Sequence, residues 1–439
     1  MLCVLSSLSH GQTTASALNS KALVFIHVTV IDATGAPAKH DMSVVVKGNR
    51  ITALGKTGRV RLPAKAEIVD AAGKFLIPGL WDMHVHLGSY EDGKRALPLL
   101  ISHGVTGVRD MASPLEDILR LRKETVEGTL TGPQIILAGP IIQGPLPFKM
   151  ALLRSVSNAR EVMETVNYLK KSGADFIKLG DTLPRDLYFV LATEAKRQQI
   201  SFVGHLPVGV SAGEASAAGQ RSIEHFGSAR YHGVILACST RETELSKVVQ
   251  GLLTAAMRGD EAADTKLFRA ALVRPLVESF DEHKAATLFG RFARNQTWQV
   301  PTLVALRDVW DSQRKGMNDE DRQYADRMWQ RYMQMLQLMT RAGVKIMAGT
   351  DVTPYGVRLH DELYLLVTAG LTPMQALQAA TRNPAQFLNM LDTLGTIEKG
   401  KTANLVLLDA DPLADIRNIK KINMVVLNGK MIPIPANPR

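Results

Sequence analysis

Pro78-Gly79-Leu80-Trp81-Asp82-Met83-His84-Val85-His86-Leu87 is the stretch from which the fold is read. A proline and a glycine punctuate its start, and an apolar run follows with histidines at alternate positions. Side chains alternate between the faces of a strand, so 81–87 reads as a strand with both imidazoles on one side. If that side faces a barrel axis, the pair suits one metal ion; otherwise it is two satisfied histidines on an ordinary strand.

Downstream, short apolar runs recur at 105–111, 134–142, 176–179, 201–206, 222–226, 299–305 and 345–351, which with 81–87 makes eight candidate strands. Amphipathic helical stretches lie among them, for example 159–172, 184–198, 321–342 and 373–391. Strands alternating with helices indicate an α/β fold, and eight such units predict a (β/α)8 TIM barrel over 76–394. A mainly helical insertion is expected near 231–295, between the sixth and seventh strands. The methionines of 328–339 fit a stripe facing the core and imply no cofactor box.

Both ends of the chain read differently. The segments 22–30, 42–46 and 50–54, with Gly48-Asn49 as a turn, are strand-like and precede any helical pattern; 404–409 and 424–428 repeat the style before Gly429. The ends are therefore expected to pair into a small β-sandwich domain, 21–75 plus 395–439. Residues 1–20 hold an apolar Leu2-Cys3-Val4-Leu5 and an Ala15-Ser16-Ala17 of the form that signal peptidases cut. They read as the remnant of an export signal, which implies a periplasmic or secreted protein, or else as a plain tail on a cytoplasmic one.

With 46% hydrophobic and 21% charged residues in 439, wholesale disorder and collagen-like architecture are excluded. No apolar run reaches the ~18 residues a membrane span needs. The 52 basic residues exceed the 42 acidic ones, giving +10. The bases are scattered, and the densest groups, Arg120-Leu121-Arg122-Lys123 and Lys420-Lys421, lack interleaved aromatics. That pattern suits a surface attracting an anionic small-molecule substrate better than one binding nucleic acid. Cys3 and Cys238 make no disulfide framework. No phosphate-binding loop and no G-x-S-x-G elbow is present. Homo-oligomerisation is left open.

In a barrel of this kind the active site lies at the C-terminal ends of the strands. His205 (Phe-Val-Gly-His-Leu) and His225 (Ser-Ile-Glu-His-Phe) sit near the ends of the fifth and sixth, and Asp351 (Met-Ala-Gly-Thr-Asp) ends the eighth. Lys178 interrupts an apolar strand, where a buried ammonium needs a partner or a lowered pKa. A neutral amine there can add carbon dioxide and bridge two cations as a carbamate; a salt-bridged or snorkelling lysine is the alternative. His360, soon after the eighth strand, is a candidate substrate contact or a helix-capping residue. Tyr231 is a candidate hydrogen-bond donor to a substrate carbonyl, or a packing residue. Asp110 could anchor a neighbouring ligand or pair with a base. His27, His40, His103 and His283 read as structural or exposed.

Several further motifs accompany the opening stretch: Gly104-Val105-Thr106-Gly107-Val108-Arg109-Asp110, Ala348-Gly349-Thr350-Asp351, Leu359-His360-Asp361-Glu362-Leu363, Ala369-Gly370-Leu371-Thr372-Pro373 and 395–406. With these the sequence resembles the amidohydrolase superfamily, nearest its imidazolonepropionase-related branch of metal-dependent dipeptidases and ochratoxin-type amidases. The resemblance implies two divalent ions, zinc being the best match to the donors. His84, His86 and Asp351 would hold the more buried ion and His205 and His225 the more exposed one. A carboxylated Lys178 and a hydroxide would bridge them, and Asp351 would be the catalytic proton acceptor and donor. It further implies hydrolysis of an amide or peptide C–N bond in an N-acyl amino acid or dipeptide. A lactonase, esterase or phosphotriesterase using the same site is the alternative. Lys178 departs from imidazolonepropionase itself and argues against that substrate. A metal-free scaffolding relative would have lost ligands, whereas all six positions carry donors.

Overall fold

The computed structural model describes residues 21–146, 148–228, 232–258 and 269–433. The export-signal pattern and Tyr231 lie outside the described residues, so the substrate contact expected of Tyr231 has no structural counterpart here.

Five strands open the chain: β1 (Leu23–Val30), β2 (Lys39–Lys47), β3 (Arg50–Lys56), β4 (Glu67–Asp70) and β5 (Phe75–Pro78). Parallel strands separated by helices follow: β6 (Leu80–Val85), β7 (Val105–Asp110), β8 (Gln134–Leu137), β9 (Ile141–Gln143), β10 (Leu153–Ser155), β11 (Phe176–Leu179), β12 (Ser201–Gly204), β13 (Ser222–Glu224) and β14 (Trp298–Val300). The chain ends with β15 (Leu405–Leu408), β16 (Ile422–Leu427) and β17 (Lys430–Ile432).

The two ends do meet, as the sequence predicts, but in one hydrogen-bonded sheet rather than two facing ones. Its order is β17-β16-β15-β5-β1-β2-β3, with β4 also on β1. The junction is β5, which pairs parallel to β1 and antiparallel to β15. Phe25, Val28, Val44, Leu76, Leu405, Leu407 and Val426 form the sheet's own apolar core. Each such side chain stabilises the unit by about 1.5–3 kcal/mol when fully buried. A Cβ on Gly429 would stand 1.9 Å from the Gly48 carbonyl oxygen, so the β16–β17 turn presses on the β2–β3 turn and only glycine fits.

The alternating middle forms two parallel sheets, β6-β7-β8 and β10-β9-β11-β12-β13-β14. The expected third strand is broken into β8 and β9 by Ala138-Gly139-Pro140, where Gly139 has a φ of +74°. Three strand ends also depart from expectation. The expected 299–305 stops at Val300, because Pro301 has no N–H for the ladder and Thr302 is left-handed; a helix starts at Leu303. The expected 222–226 stops at Glu224, since His225 and Phe226 are left-handed. The expected 345–351 carries a single bridge, Ile346 to Gln299. Its backbone nevertheless bonds β14 on one side (Met347 N to Gln299 O, 2.9 Å) and β6 on the other (Met83 N to Ala348 O, 2.9 Å; Asp351 N to His84 O, 2.8 Å).

The helices cover these sheets. Asp319–Arg341 buries Ala325, Met328, Tyr332, Met335, Leu336 and Met339, the apolar stripe the methionine spacing predicts. The expected helix 373–391 is two, Pro373–Ala379 and Arg382–Phe387, separated at the non-helical Thr381. The described parts of the insertion are helical, with Glu242–Met257 and Glu282–Asn295 the longest helices. Among the described residues no helix is long and apolar enough to cross a membrane.

Candidate metal centre

Alternation along β6 gives His84 and His86 a common direction, and the two rings stand 5.3 Å apart. His225 follows β13 with its ring 4.6 Å from that of His84, and His205 follows β12 with its ring 5.3 Å from that of His225. The four imidazoles therefore form a contiguous row. Asp351 closes it, with Oδ1 3.1 Å from His86 Nε2 and 3.5 Å from His84 Nε2, and Oδ2 3.5 Å from His225 Nε2. The donor atoms of His84, His225 and Asp351 all lie within 4.8 Å of one another, a spacing that one cation can satisfy.

The outward-facing nitrogens decide the chemistry of the inward ones. His86 Nδ1 lies 2.9 Å from the carbonyl oxygen of Ala112, which can only accept, so Nδ1 carries the hydrogen. His225 Nδ1 donates to Thr302 Oγ1, whose own hydrogen goes to the Pro301 carbonyl at 2.8 Å. His84 Nδ1 donates to Glu224 Oε2 at 2.9 Å. Each Nε2 is left as a lone pair pointing at the Asp351 carboxylate, and His84 Nε2 is buried without any hydrogen-bond partner.

The charges agree. Burial, reinforced by the neighbouring positive charges, holds His84 well below its ordinary pKa, and burial takes His225 down to about 3. Both rings are thus neutral. For Asp351, burial favours the neutral acid, but the contact with His86 and the electrostatics of the neighbouring His225, His86 and Lys178 outweigh it and hold the carboxyl far below the usual range. Burial lowers the pKa of His86, and the Asp351 carboxylate more than reverses this, so a proton or a cation belongs between the two. Lone pairs converging on an anion call for a cation, and the donor set of imidazoles and a carboxylate suits a transition-type divalent ion.

Lys178, in β11, is 1% exposed, and burial brings its pKa down to about 8. Its charge is felt at His84, His86, His225 and Asp351, as expected for a lysine buried near the cluster. The adjacent strand leaves room at Gly204 (φ +123°), where a Cβ would stand 2.6 Å from the Leu179 carbonyl and 3.0 Å from Lys178 Cδ. An open cavity of about 350 Å³ adjoins the row, lined by His86, Asp308, Asp351, Val352, Thr353 and Tyr355.

His360 is not brought to this row. Its Nε2 donates to the His103 carbonyl at 2.9 Å, in the contact between the helices Val357–Thr368 and Tyr90–Ser102. That nitrogen is committed to main chain in a ring 2% exposed, which is a structural role instead of the substrate contact expected. Asp110 accepts from Leu87 N and Ser113 Oγ at 2.8 Å each, fixing the backbone just beyond His86.

Sequence reasoning passed over four groups that hold the row in place: Glu224, Arg109, Thr302 and Asp181. Asp181 Oδ1 stands 3.1 Å from His205 Nδ1, an ion-pair contact whose angle falls short of a hydrogen bond. A signal existed for two of them: Arg109 and Glu224 are charges inside apolar strands, the feature that singled out Lys178. Backbone strain concentrates here too, with Asp351, His225 and Thr302 at φ of +56°, +51° and +47°.

Comparison with known proteins places these features in context. The Amidohydrolase family model matches residues 75–432. An ochratoxinase from Aspergillus niger is 24% identical over 425 residues, spanning 82% of this chain and 76% of its own. The solved structure of a Xaa-Pro dipeptidase with bound methionine in its active site superposes with a TM-score of 0.70 at 21% identity, covering 94% of this chain and 100% of that one. The crystal structure of the A. niger ochratoxinase superposes with a TM-score of 0.67 at 20% identity, over 95% and 97% of the two chains. These likenesses make the architecture a TIM-barrel-like α/β fold.

Proposed function

The chain belongs to the amidohydrolase family, and on that premise we propose that it hydrolyses the C–N bond of N-acyl amino acids or dipeptides with divalent metal ions. The observation that carries this reading is the convergence of three imidazole lone pairs, from His84, His86 and His225, on the Asp351 carboxylate beside an open cavity. His84, His86 and Asp351 would hold one ion and His205 and His225 the other, zinc being the best match to these donors. The eight strands, 345–351 included, would close the barrel around them.

Such a pair of ions supplies Lewis-acid polarisation of the scissile carbonyl and a water made acidic near neutral pH. Lys178 is dry and has its pKa lowered to about 8, so its amine is partly neutral at neutral pH and can add carbon dioxide with loss of a proton. The resulting carbamate would be the second anionic oxygen donor that the chain brings to the site, beside Asp351. Asp351 is held ionised, and its Oδ2, away from His86, takes the proton of the attacking water and passes it to the leaving nitrogen. Tyr355 donates its hydroxyl to the His86 carbonyl and ties the cavity wall to the end of β6. The activities named for the ochratoxinase and the dipeptidase support an amide or peptide substrate. The chain's +10 charge suits one bearing a carboxylate.

The test is a panel of N-acyl amino acids and dipeptides run beside lactones and phosphotriesters on metal-loaded protein. Turnover of the amide classes is expected; turnover of lactones and phosphotriesters alone overturns the assignment.

A further inference from the structure

Arg109 and Glu224 are both 0% exposed, an ion pair wholly removed from water. Every polar atom of the pair is used. Glu224 Oε1 accepts from Ser222 Oγ at 2.6 Å and Arg109 Nη2 at 2.9 Å; Oε2 accepts from Arg109 Nη2 and His84 Nδ1, each at 2.9 Å. Arg109 Nε donates to the Met83 carbonyl at 2.7 Å and Nη1 to Ser222 Oγ at 3.0 Å, and the guanidinium lies 5.6 Å from the Phe176 ring and 5.5 Å from that of Phe387. The network joins β6, β7 and β13 and ends on one atom, His84 Nδ1.

A buried ion pair is a poor way to stabilise a fold, because desolvation offsets the attraction and an apolar pair of similar volume does as well. Its placement is informative for another reason. His86 and His225 are steered by neutral oxygens, of Ala112 and Thr302, whereas His84 is steered by a carboxylate that a guanidinium holds in place through both its oxygens. An anionic acceptor fixes the Nδ1–H tautomer more firmly than a neutral one and pushes electron density towards Nε2, strengthening the ring as a ligand.

We propose that Arg109 and Glu224 are a positioning pair for the metal centre: Arg109 holds the Glu224 carboxylate in place, Glu224 fixes the tautomer and direction of His84, and together they set how tightly the ion touching His84 is retained. The proposal rests on the metal-dependent reading above and adds to it two residues that touch neither ion nor substrate.

The experiment compares the wild type, Glu224→Gln and the double variant Arg109→Met/Glu224→Gln. Metal content and chelator-competition affinity are measured for zinc, and the visible absorption spectrum for cobalt-substituted protein. Glu224→Gln should weaken retention of one ion by about ten- to a hundredfold and shift the cobalt bands. It should also lower the melting temperature, since Arg109 is left uncompensated. The double variant should recover the melting temperature but not the affinity or the spectrum, which separates positioning from a purely structural role. The proposal is overturned if Glu224→Gln binds zinc and cobalt as the wild type does, or if the double variant restores affinity along with stability. A wild-type chain that takes up no ion overturns the metal reading itself, and this pair's role with it.

Discussion

His84 and His360 are equally hidden from water, 0% and 2% exposed, yet one belongs to a reactive cluster and the other to a seam between helices. At His84, Nδ1 is pinned by a carboxylate and Nε2 is left bare beside two more imidazoles and Asp351. At His360, Nε2 is spent on the His103 carbonyl; Nδ1 is also without a hydrogen-bond partner, but the ring beside it is that of His103, at 5.7 Å, and it faces no row of imidazoles. What separates a ligand from a structural histidine is therefore where the second nitrogen is aimed, and that is set by the element behind the ring rather than by burial.

The sharpest way to break the contrast is to remove the lysine proposed to work with the row. Lys178→Ala should cost several kcal/mol of transition-state stabilisation, about 10³-fold in kcat/KM, and leave the metal content below that of the wild type. A short carboxylic acid should restore part of both by standing in for the carbamate. Unchanged kinetics and metal content in that variant would make Lys178 a plain buried lysine.

Next comes the neutral prop behind His225. Thr302→Val deletes the hydroxyl that accepts from Nδ1 while keeping the side chain's shape. About a tenfold loss of metal affinity is expected, at the lower end for such supporting bonds. A loss as large as that of Glu224→Gln would erase the distinction between charged and neutral props.

The smallest functional effect belongs to His360. Burial has pushed its pKa down to about 4 from 6.5. Between those values the unfolded chain binds the extra proton, so stability rises with pH across that window and is lost as the pH falls through it. His360→Gln, whose amide can still reach the His103 carbonyl, should flatten the acid limb of melting temperature against pH, an effect of about 3 kcal/mol across the window. Its kcat/KM should stay within about twofold, as expected for a site away from the reacting groups. A loss beyond tenfold would return His360 to the substrate.

The contrast also shows what the sequence could tell. The period of two in 81–87 makes His84 and His86 neighbours, and a lysine inside Phe176–Leu179 is costly enough to be noticed, so the row was legible in outline. The strands at both chain ends were legible too, since β-branched runs with glycine turns mark them, but not that they join in one mixed sheet instead of the expected sandwich. The facing of His360 was not, because nothing local says which side of Val357–Thr368 meets Tyr90–Ser102. Nor were the strand ends at Val300 and Glu224, where left-handed residues turn the chain early and thereby aim His225. Glu224 and Arg109 carried the same signal as Lys178, a charge inside an apolar strand, but that they pair with each other shows only when β6, β7 and β13 are brought together.

The account stands on lone pairs that converge on cations, and elemental analysis of the purified protein tests this most directly. About two divalent ions per chain are predicted for a site of this kind. A content that stays near one, or near none, after loading with zinc would contradict it.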